Sequence, residues 1–283
     1  MEQRDGAWHD AMYDNRQRVP EHPAIFARWA QGSEKARAVG PCELDIAYGQ
    51  AAGEKLDVFP AHSEHAPVLV FVHGGYWRAF DKSDHSFVAP AFTRDGACVV
   101  IPNYSLAPAV TIPQITLQVA RAVAWTWHNI ARFGGDRRRI VVAGHSAGGQ
   151  LAAMMLACLW QHLDPRLPRD TVCGALAISG LHDLDPIMHT PFLQKTLQLT
   201  TAQVAQASPA RLPAPRHGTL YTVAGATESA EYHRQNRLIQ EAWGMRRVPV
   251  CELVPGRDHF TVLEALVEPR HRLHQLALDL LRA

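Results

Sequence analysis

Ile140-Val141-Val142-Ala143-Gly144-His145-Ser146-Ala147-Gly148-Gly149 begins as a β-branched run too apolar to face water and ends in small residues that open a helix. Between the two lies G-x-S-x-G. A strand that passes into a helix through one serine must turn sharply, and the residues two before and two after that serine are then pressed together. Glycines at 144 and 148 relieve the clash. Ordinary Gly and Ser usage yields the five-residue pattern by accident in roughly one chain in ten. An accidental match seldom falls between a Val-rich strand and a helix, so the flanks make the pattern specific. Ser146 is the candidate nucleophile.

Outward from this turn, short β-rich runs alternate with helix-period runs from residue 44 onward. Candidate strands are 44–48, 55–59, 68–72, 98–102, 140–143, 172–179, 219–223 and 248–254. Eight strands, the later ones separated by helices, predict an α/β fold with a mostly parallel sheet flanked by helices. Ile115, Val119, Ala122, Val123 and Ile130 recur at helical spacing, and Phe133-Gly134-Gly135-Asp136 closes that helix. Leu151, Ala152, Met155, Leu156 and Leu159 give the helix after Ser146 an apolar face. Residues 1–40 do not alternate in this way. They carry Trp8, Tyr13, Phe26 and Trp29 in helix-compatible pieces, which predicts an N-terminal helical arm lying over a catalytic core at 41–283. No repeat or linker breaks the chain, so one domain over 1–283 is expected.

Composition narrows the function. The chain has 283 residues, 47% of them hydrophobic and 19% charged, which suits one large core and excludes disordered and fibrous classes. Lys plus Arg number 28 against 27 for Asp plus Glu, leaving no bulk field for nucleic acid or an anionic membrane. The start Met1-Glu2-Gln3-Arg4-Asp5 lacks a basic patch with an apolar run behind it, and the longest apolar stretch, Leu151 to Trp160, is half a membrane span. Five scattered cysteines form no C-x-x-C pair and read as reduced core residues, so the expected compartment is the cytoplasm. Among 16 histidines there is no H-E-x-x-H; His62-Ser63-Glu64-His65 is the nearest approach, and no metal or cofactor is expected.

The 68–72 strand runs straight into His73-Gly74-Gly75-Tyr76-Trp77. Folds built on a serine elbow place a second oxyanion donor at that junction. Acyl transfer builds negative charge on a carbonyl oxygen, and fixed backbone N–H groups stabilise it at about 3 kcal/mol each. The candidate donors are the N–H groups of Ala147, Gly75 and Tyr76, with Gly74 if the loop turns one residue earlier. A serine hydroxyl is a poor nucleophile until a histidine takes its proton, and the partners are expected in the order serine, acid, histidine. His259 lies in a loop between the last strand and the terminal helix and is the candidate base. His271 and His274 fall inside that helix, while His217 and His233 precede the last strand. Glu228, leaving the seventh strand through Gly225, is the candidate acid; Asp183, Asp185, Glu231 and Asp258 are its rivals. Tyr76 and Trp77 are candidates to stack on an aromatic substrate.

With these residues placed, the chain resembles the α/β-hydrolases of the hormone-sensitive-lipase-like group, and within it the kynurenine formamidase branch. His73-Gly74-Gly75-Tyr76-Trp77 matches that branch's H-G-G-x-W, where wider relatives have a third glycine at the position of Tyr76. Asn103-Tyr104-Ser105-Leu106-Ala107-Pro108, Glu228-Ser229-Ala230-Glu231-Tyr232-His233-Arg234-Gln235, and Tyr13-Asp14-Asn15-Arg16 to Trp29 are also similar to segments of the branch. The chain departs at the acid, since several relatives carry aspartate where Glu228 stands. The resemblance implies metal-independent hydrolysis of N-formyl-L-kynurenine to L-kynurenine and formate, in tryptophan catabolism. Its partner would be a small aryl formamide or ester; a homodimer is left open by one sequence. The alternatives are a broad carboxylesterase with the same triad, a catalytically silent binding module of this fold, and a metal-dependent formamidase.

Overall fold

The computed structural model describes residues 5–283; the first four, on which the expectations for the start of the chain and for the arm at 1–40 partly rest, lie outside the described residues. Eight strands form one sheet: β1 Glu43–Ala47, β2 Lys55–Phe59, β3 Ala66–Val72, β4 Cys98–Pro102, β5 Gly135–His145, β6 Gly174–Ile178, β7 Thr219–Gly225 and β8 Val250–Val254. Their order is β1-β2-β4-β3-β5-β6-β7-β8. The β1–β2 and β2–β4 pairs are antiparallel, and the remaining pairs are parallel.

Alternation along β3 shows why the sheet is covered on both faces. Val68, Val70 and Val72 join one apolar cluster with the helices Ile112–Asn129 and Ala147–Ala157, while Leu69 and Phe71 join another with the helix Arg272–Arg282. A strand with both faces buried reads as a continuous apolar run, which is how β3 and the second half of β5, from Ile140, appear in the sequence, while Asp136 to Arg139 extend β5 beyond the apolar run. Ile115, Val119, Ala122 and Val123 are fully buried as their spacing predicts, and Gly134 closes the segment at φ 81°, a left-handed cap. The helix after Ser146 is shorter than its pattern. It ends at Ala157, where Cys158 turns extended, and Leu159 is left 68% exposed instead of joining the apolar face.

The arm lies over the sheet's carboxyl end as three helices, Gly6–Tyr13, Asn15–Arg18 and His22–Val39. It is tied down from inside. The Tyr13 hydroxyl donates to Glu231 Oε2 at 2.8 Å, Asn15 Nδ2 donates to the Tyr232 hydroxyl at 2.8 Å, and Ile25 and Trp29 are buried in the core.

Candidate active site

Strand register brings the chemistry together. In the parallel part of the sheet Val72 is opposite Gly144, His145 opposite Ile178, Ile178 opposite Val223, and Gly225 opposite Val254. The chain therefore leaves β3, β5, β6, β7 and β8 at one edge. The segments that follow carry His73–Tyr76, Ser146, Ser179, Glu228 and His259, and an α/β sheet binds ligands at this carboxyl edge.

Ser146 sits on the turn at φ 56° and ψ −118°, a region that side chains rarely occupy. The turn is held by hydrogen bonds: Ser146 N donates to Ile178 O at 2.8 Å, and Gly149 N donates to Ser146 O at 2.9 Å. The two glycines of the motif are needed for a reason wider than mutual crowding. A side chain at 144 would strike the carbonyl of Gly148, and one at 148 would strike the carbonyls of Val72 and His73 at the end of β3. This close approach packs the elbow against the loop after β3.

That loop is itself strained and braced. Gly75, Tyr76 and Trp77 have φ of 98°, 50° and 55°. Tyr104 stacks on His73 at 4.2 Å between ring centres, and its hydroxyl lies 3.0 Å from His73 O and 3.2 Å from Gly74 O. Asn103 Oδ1 is 3.1 Å from His73 Nε2, so the Asn103-Tyr104 pair of the family-like segment serves as a buttress. Gly74, Gly75 and Tyr76 line a cavity of about 720 Å³ together with Ser146 and His259. Among the described residues, no hydrogen bond occupies the backbone N–H of Gly74, Gly75, Tyr76 or Ala147. Four such groups left open at one place are unusual in a folded interior.

His259 and Glu228 are joined. His259 Nδ1 lies 2.7 Å from Glu228 Oε2, with both side chains almost fully buried. The other carboxylate oxygen accepts from Ser179 Oγ at 2.6 Å and from Gly225 N at 2.5 Å. Glu228 thus reaches the imidazole and is fixed at both oxygens. Five of the rival residues are engaged with other partners. His274 spans Leu266 O and Asp95, His233 contacts Gly225 O, Asp183 pairs with Arg211, Glu231 with Tyr13 and Arg234, and Asp258 accepts from Phe260 N and Thr261 N.

Trp77 requires a correction. It is fully buried, and its Nε1 donates to Gln150 Oε1 at 3.1 Å, so it is a core residue and does not face a substrate. Tyr76 does face the cavity. Its hydroxyl donates to Tyr13 O at 2.7 Å and lies 2.6 Å from the Tyr232 hydroxyl. A phenol has one proton, and that of Tyr76 goes to the Tyr13 carbonyl; the Tyr232 proton is left to bridge towards Tyr76 or the nearby Ser146 hydroxyl. Burial pushes both phenols up, so they remain protonated at neutral pH.

The sequence carries no signal that singles out Tyr232, Ser179 or Asn15. Tyr232 and Asn15 stand inside the family-like segments without a role that spacing could assign, and Ser179 reads only as the end of a strand. His145, the variable residue of the motif, is equally silent. Its Nε2 donates to His259 O at 2.7 Å and its ring lies 4.8 Å from that of His259. Burial, followed by the neighbouring His259, holds the His145 imidazole well below the usual histidine range, so it is neutral. Among the described residues no three His, Cys, Asp or Glu side chains are grouped to hold a metal ion, and no helix is long and apolar enough to cross a membrane.

A family model described as the alpha/beta hydrolase fold matches residues 69–231, more than half of the chain. The protein is an α/β-hydrolase. A kynurenine formamidase of Danio rerio is 33% identical to this hydrolase over 88% of the chain and 85% of the relative, which places the protein in the kynurenine formamidase-like branch. The Mycobacterium tuberculosis esterase LipQ is 40% identical, over 53% of the chain and 39% of its own length. Among solved structures, a Silicibacter candidate thioesterase superposes at a TM-score of 0.84 with 28% identity, covering 97% of this α/β-hydrolase and 98% of that protein.

Proposed function

We propose that the protein is a metal-independent serine hydrolase that cleaves an aryl formamide, N-formyl-L-kynurenine, to L-kynurenine and formate in tryptophan breakdown. The observation that carries this reading is the buried 2.7 Å contact between His259 Nδ1 and Glu228 Oε2, with His259 and Ser146 on the wall of one cavity. His259 takes the Ser146 proton as the serine oxygen attacks the formyl carbon. Glu228 keeps the imidazole in the tautomer that presents Nε2 and stabilises the imidazolium. The open N–H groups of Ala147, Gly75 and Tyr76, with Gly74 beside them, receive the oxyanion. Collapse breaks the carbon–nitrogen bond, and His259 gives its proton to the departing aryl amine. Water, deprotonated by His259, then attacks the formyl-serine, releasing formate and restoring Ser146.

The chain acts as one catalytic domain, with Tyr13 to Trp29 of the arm over the site. Its five unpaired cysteines support the cytoplasm as its compartment. Ser146→Ala is expected to abolish turnover of N-formylkynurenine while circular dichroism and melting temperature stay unchanged; retained turnover would remove the assignment. A second reading, a carboxylesterase of short acyl esters, is supported by the likeness to LipQ. Specificity constants for N-formylkynurenine and p-nitrophenyl acetate, each with and without chelator, separate the two, and loss of activity in chelator would favour a metal-dependent formamidase.

A further inference from the structure

The cavity before Ser146 holds two cationic side chains that the proposed chemistry does not use. Arg16, from the arm, and Arg78, from the loop after β3, both line it. Arg78 is set in place: its Nη1 donates to Phe192 O at 3.0 Å and to Thr196 Oγ1 at 3.2 Å, and its guanidinium carbon lies 5.4 Å from the centre of the Phe192 ring. Arg16 lies 5.8 Å from the centre of the Phe26 ring. Neither forms an ion pair among the described residues. Asp14, the one carboxylate among the described residues on the cavity wall, is occupied in capping the arm's second helix, where its Oδ1 accepts from Gln17 N at 3.0 Å. Burial and the charge of Arg16 push the Arg78 guanidinium below its ordinary value, opposed more weakly by Tyr76 and the Asp14 carboxylate. Two like charges brought into one cavity repel, and an anion bound between them would relieve that repulsion.

We infer that Arg16 and Arg78 form a subsite for a carboxylate carried by the substrate, so that the enzyme selects anionic aryl substrates over neutral ones. A guanidinium matches a carboxylate with two parallel N–H donors, and Arg78 has Nε and Nη2 left for that purpose. Phe26 and Phe192 back the two cations and offer apolar faces to an aromatic ring held next to the carboxylate. Charge supplies the recognition and the aromatic walls supply the burial. The inference rests on the hydrolase reading of Ser146, but not on the formyl group.

The test uses matched pairs that differ only in charge: 2-formamidobenzoate against its methyl ester, and 3-acetoxybenzoate against its methyl ester. In the Arg16→Gln/Arg78→Gln double variant, kcat/KM for the charged member of each pair is expected to fall about tenfold or more, mainly through KM, while the neutral member keeps its rate. Arg78→Lys, which retains the charge, is expected to recover part of the loss. Equal losses on charged and neutral members, or an unchanged ratio, would overturn the inference. If neither formamide is hydrolysed while the esters are, the formamidase reading fails and the ester pair still decides the arginines. Calorimetric binding of 2-aminobenzoate against its methyl ester tests the subsite without turnover: tighter binding of the acid in the wild type is expected, and equal affinity would sink the subsite.

Discussion

Ser179 shows how much of a site can hang on one hydroxyl. Its Oγ donates to Glu228 Oε1 at 2.6 Å, so Glu228 has one oxygen fixed by Ser179 and Gly225 and the other turned to His259. A glutamate has one more rotatable bond than an aspartate, and these two donors remove the freedom that bond adds. Ser179→Ala is expected to lower kcat about tenfold with KM unchanged, in line with a hydrogen bond to a charged group worth about 1.5 kcal/mol. Steady-state kinetics checks this, and an unaltered kcat would mean that Gly225 alone suffices. Ser146, His259 and Glu228 can be picked out as candidates in the sequence because the chemistry constrains the order and loop positions of such a set. Ser179 is not, because a serine at a strand end has many ordinary uses.

At the scale of elements, the elbow depends on how closely β5 and its helix approach the end of β3. Gly148 is the tightest point, where any side chain would meet the carbonyls of Val72 and His73. Gly148→Ala is therefore expected to cost about 1–3 kcal/mol of stability, as overpacking does, and to depress kcat by displacing the loop that carries Gly74 to Tyr76. Urea titration together with kinetics measures both; a variant of normal stability and rate would contradict the close approach. The motif glycines are readable from the pattern alone, but their main neighbour is not. It belongs to the end of a strand about 75 residues away, and sequence spacing carries no record of such a neighbour. Trp77 illustrates the opposite case: its place beside Gly74-Gly75 suggests a substrate contact, whereas the turn at Tyr76 and Trp77 directs the indole into the core.

Across the whole molecule, buried histidines set the acid limit of stability. Burial pushes His85 and His182 down to about 3, and His145 is also held well below the usual range. Each is neutral in the fold and ready to take a proton once unfolded. Below about pH 6.5 the unfolded chain therefore binds more protons than the native one, and stability falls as pH falls. Each such group contributes about 1 kcal/mol per pH unit across that window, fully lost only below its folded value. Melting temperature is expected to drop by roughly 10 °C or more between about pH 7.5 and about pH 5. A flat profile over that range would show that the three rings are hydrated or charged in the native protein.

By itself, the order of apolar runs, glycines and polar loop residues predicted the eight strands and the serine elbow, and it put forward Glu228 and His259 as the candidate acid and base. The strands and the elbow are local features, each depending on residues within a few positions of one another, whereas the acid and base are read from their order along the chain. Tertiary structure alone decided which side chains surround them. Tyr232, Ser179 and Asn15 reach the site, Trp77 leaves it, and two arginines from distant segments share its cavity, because the register of parallel strands and the docking of the arm are set by burial summed over the entire sheet.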